Sequence, residues 1–387
     1  MNRERFPGLS DGWARFDAPA GAQPVDAAIS AMADWMASGA VANAHGAFEA
    51  ADRTDALVQE ARTAAGSFVG GAPEGVVFGP SMTALTLSFA AAVGRSLAPG
   101  DEIVCTRLDH DGNVSPWLIA AERAGAAVRF AETDPDTLEL PASAVEAVLS
   151  KRTRWVAVTA ASNSVGSVPE LGGIVAAARA AGARVYVDAV HAAPHRKLDV
   201  TALECDALVC SAYKWFGPHG SILWARPELL EELAVDKIRP APDSGPDRWE
   251  TGTPAFENLA GLVAAARYME ETGFDEIRAY EEALFAPMLE GLRAIDGVTV
   301  YGAARDRVPT LAFNLRGRSS EDVARALAAD QIAVWHGNYY ALELSTKLGL
   351  EPEGAVRAGI VHYNDESDVK RLLTAVEKLA SGANDPN

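Results

Sequence analysis

The chain has 387 residues, with 34 basic and 53 acidic side chains and a formal net charge of −19. This acidic balance argues against a nucleic-acid or anionic-membrane partner, because both bind to basic surfaces. Hydrophobic residues make up 49% of the chain and charged residues 22%, which excludes a disordered protein and indicates a globular fold of about two domains.

From about residue 75 to residue 226, short β-branched runs alternate with alanine-rich helical stretches. Near-continuous apolar strands separated by helices predict a mostly parallel sheet that is covered on both faces. A short loop with glycine and proline between the last two runs predicts a hairpin, and therefore one antiparallel strand. The predicted strands are 76–78, 102–106, 127–132, 154–162, 184–190, 206–212 and 221–226.

The second part of the chain begins with a Pro-, Asp- and Gly-rich stretch at 239–249, which predicts an exposed loop. A long helix at roughly 256–293 then leads into a smaller α+β unit, whose C-terminal helix packs an apolar stripe against its sheet. That stripe consists of Val369, Leu372, Leu373, Val376 and Leu379. The strands of this unit are expected at 298–302, 309–315, 331–337 and 356–363, and its helices around 319–330, 339–349 and 366–381.

This change of pattern predicts the domain organisation. We expect an N-terminal segment at 1–25 that associates with the small domain, and a large domain at 26–255. The linking helix and the small C-terminal domain then occupy 256–387.

Three features of the sequence predict a cytoplasmic protein. The cysteines, Cys105, Cys205 and Cys210, form no CxxC pair and have no metal-like spacing, so disulfides and a metal site are not expected. The N-terminus lacks the apolar run of a signal peptide. No stretch reaches the roughly 18 uninterrupted apolar residues that a membrane helix needs.

Asp188 and Lys214 follow two successive predicted strands of the large domain. Ligand sites of open α/β sheets lie beyond the carboxyl ends of the strands, so both side chains could meet there, with His191 close by. A carboxylate can keep a pyridine nitrogen protonated, and a lysine can form a Schiff base with an aldehyde. Taken singly, Asp188 is more often a helix cap and Lys214 a solvated surface charge. The aromatic surroundings of Lys214 in SAYKWFGPHG, however, favour a buried amine.

Six segments, in order along the chain, resemble class V aminotransferases, specifically the cysteine desulfurase and selenocysteine lyase branch. The resemblance covers nearly the whole chain. It implies a fold type I (aspartate aminotransferase-like) enzyme, with a mostly parallel seven-stranded sheet in the large domain and a smaller C-terminal α+β domain. The segments are RLDHDGNVSPW (107–117), ASNSVGSV (161–168), VDAVHAAPH (187–195), SAYKWFGPHG (211–220), ETGTP (250–254) and VRAGIVHYN (356–364).

The resemblance implies pyridoxal 5'-phosphate (PLP) as the cofactor, bound by the large domain. Lys214 would carry it as a Schiff base and would also move protons at the substrate α-carbon. Asp188 would pair with the pyridine nitrogen, His191 with the phenolic oxygen, and His110 would stack on the ring face opposite Lys214. Asn163 would bind the phenolic oxygen or the substrate carboxylate; alternatively, it is an Asx-turn residue.

The cofactor phosphate needs hydrogen-bond donors, and FGPSMTALTL (78–87) places a helix N-terminus directly after a strand. A simple N-cap is the alternative role for the serine of this segment. A threonine of ETGTP resembles one that reaches the phosphate of a neighbouring subunit, which implies a homodimer. The branch more often has histidine where Tyr213 stands, but a phenol can still donate. The expected phosphate donors are Ser81, the Met82 N–H, Thr83, Ser211, Tyr213 and Thr253.

Arg357 would clamp the substrate α-carboxylate through two parallel hydrogen bonds. An ordinary surface ion pair is the alternative, but the position of Arg357 on an apolar strand makes that role less expected.

The resemblance fails at VWHGNYYALEL (334–344). Cysteine desulfurases carry on this mobile loop a cysteine that attacks the substrate sulfur and becomes a persulfide, whereas this stretch has none. An arginine commonly found just before the loop is replaced by Trp335. The remaining side chains either line a substrate pocket or pack the loop onto a dimer partner. They are His336, Asn338, Tyr339 and Tyr340.

We therefore expect a PLP-dependent lyase that eliminates a β-substituent or cleaves a C–S or C–Se bond of a small amino acid. An aminotransferase or an amino-acid epimerase is the alternative, and the epimerase needs a second acid–base such as His110, Tyr339 or Tyr340. A non-catalytic partner protein with this fold is disfavoured, because the cofactor-binding set and Arg357 are retained together.

Overall fold

The computed structural model describes residues 2–40 and 43–382. Within these ranges, strands and helices alternate through the first two thirds of the chain. The strands are β1 (Ala14–Arg15), β2 (Val76–Gly79), β3 (Glu102–Thr106), β4 (Ala127–Ala131), β5 (Thr153–Thr159), β6 (Arg184–Asp188), β7 (Ala207–Ser211), β8 (Ser221–Ala225), β9 (Val298–Tyr301), β10 (Thr310–Leu315), β11 (Ile332–Ala333), β12 (Trp335–Gly337) and β13 (Ala355–Gly359). The helices are α1 (Asp26–Ala37), α2 (Glu49–Val69), α3 (Met82–Gly94), α4 (Ser115–Ala124), α5 (Ala142–Glu146), α6 (Leu171–Ala180), α7 (Val200–Leu203), α8 (Pro227–Glu232), α9 (Phe256–Thr272), α10 (Phe274–Ala294), α11 (Ser320–Ala329), α12 (Leu342–Lys347) and α13 (Glu366–Ala380).

The large domain is built on a seven-stranded sheet in the order β2-β8-β7-β6-β5-β3-β4. Only β8 runs against its neighbours: it pairs antiparallel with both β7 and β2, as the hairpin pattern predicts. The other described pairs are parallel, so β3, β5, β6 and β7 end at the same edge of the sheet. The mostly parallel seven-stranded fold is confirmed. The loops that follow these strands are therefore brought together.

The small domain contains an antiparallel sheet in the order β12-β13-β10-β9, against which α10, α11 and α13 pack. The stripe of α13 is buried as predicted, with Leu373 only partly covered. The short strand β1 pairs in parallel with β11, so the N-terminal segment contacts this part of the molecule. The boundaries at 25 and 255 remain a prediction. No helix of residues 2–40 and 43–382 is both long and apolar enough to cross a membrane.

The structure differs from the predicted elements at three places. The helix expected at 256–293 is divided at Gly273, whose φ of +84° favours glycine, so that α9 and α10 pack on different neighbours. The strand expected at 331–337 is divided at Val334 into β11 and β12, which belong to different sheets. The loop expected at 239–249 ends in a turn of 3-10 helix, 246–249, that buries the Trp249 ring in the core.

A buried polar cluster joins the linking helices to residues that follow β6 of the large domain and β13 of the small domain. Glu281 of α10 is 1% exposed, and its carboxylate lies 2.7 Å from Nδ1 of the buried His195, which follows β6. Beside it, the hydroxyl of Tyr268 on α9 lies 2.7 Å from Nε2 of His362. Removing one partner of a buried hydrogen bond leaves the other polar group unsatisfied, which is costly in a region that excludes water.

We predict that Glu281→Ala lowers the free energy of unfolding of the holoenzyme by about 2 kcal/mol, because it leaves the buried His195 without its hydrogen-bond partner. The control is Glu282→Ala on the same helix, which removes an exposed carboxylate and should cost less than about 1 kcal/mol. Urea denaturation followed by fluorescence measures both values. Equal stability of the two variants would show that the cluster does not hold the helices in place.

Candidate active site

A cavity of about 710 Å³ opens at the edge where β3, β5, β6 and β7 end. It is closed from the other side by the N-terminal residues Pro19 and Ala20 and by the segment 335–342 of the small domain. Most of the site residues predicted from the sequence line this one cavity. They are Ser81, Met82, Thr83, His110, Asn163, Asp188, His191, Tyr213, Lys214, Tyr339, Tyr340 and Arg357.

Lys214 lies in a short 3-10 helix directly after β7 and is 7% exposed. Its Nζ donates a hydrogen bond to the carbonyl of Pro19. Burial lowers the pKa of Lys214 to about 7; the charge of Arg357 adds to this effect and that of Asp188 opposes it. A substantial fraction of the amine is therefore neutral near pH 7, as a nucleophile or a base must be.

The backbone just after Lys214 is held in a strained conformation. Phe216 has a φ of +70°, in the left-handed region that non-glycine residues rarely occupy. Its fully buried ring packs edge-on against Phe6, at 5.3 Å between ring centroids, and against His362, at 4.5 Å. These contacts stabilise the turn that carries the lysine into the cavity.

Asp188 and His191 lie at the end of β6 and just beyond it. The Asp188 carboxylate accepts a hydrogen bond from the Val190 N–H at 2.9 Å, and burial raises its pKa to about 6. The His191 Nε2 lies 3.0 Å from the Thr310 hydroxyl, and burial holds the pKa of this histidine well below its usual value. Nδ1 of His191 has no hydrogen-bond partner within the described residues, although it is buried. A neutral imidazole with a free nitrogen is thus available to a bound group.

His110 caps the short 3-10 helix 111–113, and its Nδ1 accepts a hydrogen bond from the Gly112 N–H at 2.9 Å. The proton of the neutral ring is therefore on Nε2. Burial lowers the pKa of His110 to about 4, and the charges of Lys214 and Arg357 act in the same direction. His110 is consequently a neutral ring at physiological pH, suited to packing against a planar group.

Sequence reasoning missed Asp109, the buried residue that precedes this histidine in the chain. Asp109 is fully buried, accepts a hydrogen bond from Asn113 Nδ2 at 2.7 Å and another from the Thr106 hydroxyl, and has a pKa well above its usual value because of burial. Asn113 in turn accepts from the Trp117 indole N–H at 3.1 Å. The sequence signal for this group is the four-residue spacing of Asp109, Asn113 and Trp117. It is hard to recognise, because the residues lie in a polar loop.

Arg357 on β13 is 3% exposed and charged, although burial lowers its pKa to about 10. Its Nη1 donates to the Asn163 carbonyl at 2.9 Å, and its guanidinium carbon lies 4.4 Å from the centre of the Tyr339 ring. Its Nε, like Oδ1 of Asn163, has no hydrogen-bond partner within the described residues. The turn hydrogen bonds after Asn163 go to the Ser162 hydroxyl, so the Asn163 side chain is not used for an Asx-turn. A buried guanidinium with a free donor fits a carboxylate.

The segment 335–342 is fastened to the large domain through its backbone. The Tyr339 carbonyl accepts from Asn163 Nδ2 at 2.9 Å, and the Tyr340 carbonyl accepts from the Asp111 N–H at 2.6 Å. Both tyrosines have positive φ values, +55° and +60°, which persist only where neighbouring contacts impose them. The Tyr339 hydroxyl donates to the Ala355 carbonyl, which directs its ring onto Arg357.

The first turn of α3 lies at one end of the cavity. Ser81 is its N-cap and accepts a hydrogen bond from the Ala84 N–H at 3.2 Å. Ser81 is half-buried, Met82 buried and Thr83 exposed. The first N–H groups of a helix have no partner within the helix and carry a partial positive charge, so this end favours an anion.

The structure does not bring every predicted residue into the cavity. The Ser211 hydroxyl is buried against that of Ser221 at 2.7 Å, and the exposed Thr253 lines a second cavity of about 380 Å³. His336 is exposed, and Asn338 donates to Glu351 at 3.0 Å. Their roles in binding remain predictions. In addition to the predicted set, the cavity is lined by Leu87, Asp111, Ser115, Pro116, Ile119 and Trp335.

These donors and acceptors fit PLP. His191 and Asn163, each with an unpartnered buried atom, line the same cavity as Asp188 and His110, and this combination suits a flat ring with a polar edge. The helix N-terminus at Ser81 suits its phosphate. Lys214 can bind its aldehyde carbon covalently.

Comparisons with known proteins agree with this fit. The family model described as Aminotransferase class-V matches residues 15–372. A cysteine desulfurase of Klebsiella pneumoniae is 32% identical, over 94% of this chain and 92% of that protein. An uncharacterized protein of Mycobacterium tuberculosis is 33% identical, over 97% and 98%.

Solved structures agree as well. The cysteine desulfurase of Thermococcus onnurineus NA1 has a TM-score of 0.92 at 29% identity, with 98% of this chain and 97% of that chain covered. The Escherichia coli cysteine desulfurase CsdA has a TM-score of 0.89 at 26% identity and the same coverage. Fold and site thus define a PLP-dependent enzyme of fold type I. The chain belongs to the class V aminotransferase family, and its relatives include cysteine desulfurases.

We predict that the rate of PLP uptake by the apoenzyme rises with pH through about 7 and then levels off. Only the neutral amine of Lys214 reacts with an aldehyde, and burial lowers its pKa to about 7 from the usual 10.5. Stopped-flow absorbance measures the rate across pH. Lys214→Ala should show no covalent uptake at any pH, and an apparent pKa near 10 would contradict the burial of this amine.

Proposed function

We propose that the enzyme is a lyase that removes the α-proton of a small amino acid and cleaves its β C–S or C–Se bond by elimination. It would do so without storing sulfur on a protein thiol. The observation that supports this most strongly is the neutral amine of Lys214 in a cavity that also holds the guanidinium of Arg357 but no cysteine.

In this proposal each residue has one task in holding the cofactor. Lys214 binds it covalently, and Asp188 pairs with its ring nitrogen. His191 binds its phenolic oxygen, and His110 packs on its face. The phosphate lies at the N-terminus of α3, with donors from Ser81, Met82, Thr83 and Tyr213. When bound, PLP withdraws electrons from the α-carbon of an attached amino acid and so makes the α-proton acidic.

Substrate handling falls to Arg357 and Lys214. The unpartnered Nε of Arg357 and its second terminal nitrogen can hold an α-carboxylate in a fixed orientation. Asn163 Oδ1 is an acceptor beside it. Tyr339 keeps the guanidinium plane in place from the opposite side. The amine of Lys214, once released from the cofactor, takes the α-proton, because no other neutral base of comparable basicity lines the described cavity.

Sulfur transfer to the protein is disfavoured by the state of the cysteines. Cys105, Cys205 and Cys210 are fully buried, in or beside strands of the large domain, and none lines the cavity. Burial raises the pKa of each thiol, that of Cys205 to about 12. A buried, protonated thiol on a rigid strand is a poor nucleophile, so the sulfur fragment would leave the enzyme.

The epimerase alternative needs an acid on the face opposite Lys214, and two of the three candidates, His110 and Tyr339, are poorly suited. His110 is neutral with a pKa of about 4, and the Tyr339 hydroxyl is already donated to a carbonyl. Transamination needs no such second group, and the products decide between it and elimination.

We also propose a homodimer and a cytoplasmic location. Thr253 lies on an exposed loop outside the main cavity, so contact with a phosphate would require a second copy of the chain. The three unpaired cysteines support a reducing compartment.

We predict that the holoenzyme converts S-methyl-L-cysteine and water into methanethiol, pyruvate and ammonia in equal amounts. Lys214→Ala should abolish this, while the control Cys205→Ser should retain it. Assays of the three products in deuterated water test the reaction. Recovered substrate with deuterium at a racemised α-carbon would indicate epimerisation, and pyridoxamine phosphate would indicate transamination.

We predict that Arg357→Lys raises KM for an amino-acid substrate about 10- to 100-fold, because a charge-assisted hydrogen-bond pair is lost. The effect on kcat should be smaller. Arg316→Lys, at an exposed position of the same domain, is the control and should leave both constants unchanged. An unchanged KM in Arg357→Lys would remove this residue from carboxylate binding.

A further inference from the structure

We infer that the substrate side chain is uncharged and continues beyond the β-sulfur as an apolar group, as in an S-alkyl- or S-aryl-cysteine. This inference rests on the proposed function and specifies its substrate. Three properties of the cavity support it. They are the distribution of charge, the composition of its solvent-facing mouth (Leu87, Ile119, Trp335 and Tyr340), and the rigidity of the aromatic wall that Trp335 and Tyr340 form.

Charge is the first property. Among the residues that line the described cavity, the lysine and arginine side chains are Lys214 and Arg357, and both are buried. The cofactor and the α-carboxylate use both. At the mouth the ionisable side chain is Asp111, a carboxylate hydrogen-bonded to the Ser115 hydroxyl at 2.6 Å. A second carboxylate on the substrate, as in aspartate or cysteine sulfinate, would therefore lack a counter-ion and would face a like charge.

The composition of the mouth is the second property. Apart from Thr83, the exposed lining residues are large and apolar or aromatic: Trp335 is 50% exposed, Tyr340 71%, and Leu87 and Ile119 are also exposed. The ring of Tyr340 lies 5.5 Å from that of His110, so the apolar wall begins beside the planar group at the cavity floor. Covering such side chains with an apolar ligand group is favourable in proportion to the area removed from water.

Rigidity is the third property. Tyr340 has a φ of +60° and its carbonyl accepts a hydrogen bond from the Asp111 N–H, so its backbone does not depend on the ligand for its position. Trp335 belongs to β12 and is paired directly with Arg357 of β13. The wall and the carboxylate clamp are therefore fixed relative to each other. A preformed wall at a constant distance from the clamp selects side chains by length.

Two aromatic side chains, Trp335 and Tyr340, take the place of the missing thiol. In place of a sulfur-accepting residue, the segment presents two aromatic rings to the β-substituent. Elimination from an S-substituted cysteine uses one water and releases a thiol, pyruvate and ammonia, so every atom is accounted for without an oxidant or reductant. The leaving thiol departs past Trp335 and Tyr340 into solvent.

The test is a binding series on the holoenzyme with amino acids that have no leaving group. Alanine, 2-aminobutyrate, norvaline and norleucine extend the side chain by one methylene at a time, and the absorbance change of the bound cofactor reports the apparent Kd. We expect the affinity to rise about fourfold for each methylene that is buried. Aspartate should bind more weakly than 2-aminobutyrate.

Trp335→Ala should flatten this series, because it removes the larger part of the wall. The matched control is Leu342→Ala, an exposed apolar residue of the neighbouring helix that does not line the cavity, and it should leave the slope unchanged. If the affinity of the unaltered enzyme stays constant or falls along the series, this inference is wrong and the proposed function is unaffected. That result is expected if a second copy of the chain covers Trp335 and Tyr340. If aspartate or cysteine sulfinate binds more tightly than the other amino acids, this inference is again wrong and the proposed function is unaffected. If no amino acid changes the absorbance, the proposed function fails as well.

Discussion

The burial of one amine is the constraint on which the site depends. Lys214 is held at the end of β7 by a hairpin, by a strained turn at Phe216 and by the carbonyl of Pro19. Transferring a charged ammonium into such surroundings is unfavourable, so the pKa falls until the neutral form is well populated. Asp188 limits the effect and Arg357 strengthens it, so the reactivity of the lysine is set by the same residues that the proposal assigns to cofactor and substrate.

The residues that close over the amine of Lys214 belong to the N-terminal segment and to the small domain. The N-terminal segment joins the small domain through β1 and β11, and the aromatic segment 335–342 joins it through β12 and β13. Arg357 lies on β13 itself. The residues that cover Lys214, the aromatic segment and Arg357 thus belong to β1 and to the strands of the small domain or the loops beside them, while the large domain supplies the groups that fit PLP. Hydrogen bonds from Asn163 and Asp111 to the tyrosine carbonyls connect the two sides.

Much of the fold follows from local sequence pattern. Except for the edge strand β4, the strands of the large sheet are short and nearly continuously apolar, because both faces are covered, and this pattern can be recognised from the sequence alone. The division of the long helix at Gly273 and of one strand at Val334 was not predicted, because each depends on which sheet or domain the flanking residues join. Hydrophobic periodicity indicates the conformation of a single segment, whereas each of these breaks is determined by the elements with which the flanking residues pack or pair.

For the site, the residues nearest Lys214 could be found by position at strand ends, and resemblance supplied the rest. Asp109 could not be found in this way, because a buried carboxylate is recognisable only from the amide and hydroxyl that surround it. Nor does the sequence indicate that Ser211 faces its hairpin partner Ser221 instead of the main cavity. A strand-end hydroxyl can turn to either side, and the antiparallel pairing of β7 with β8 determines which.

The most direct test of the account is to identify the residue that holds the cofactor. The holoenzyme is reduced with borohydride, digested, and its peptides are mapped by mass spectrometry. The account predicts that the reduced cofactor is found on Lys214 and on no other lysine. Its attachment to a different lysine, or an unmodified Lys214 peptide after full reduction of PLP-loaded protein, would contradict it.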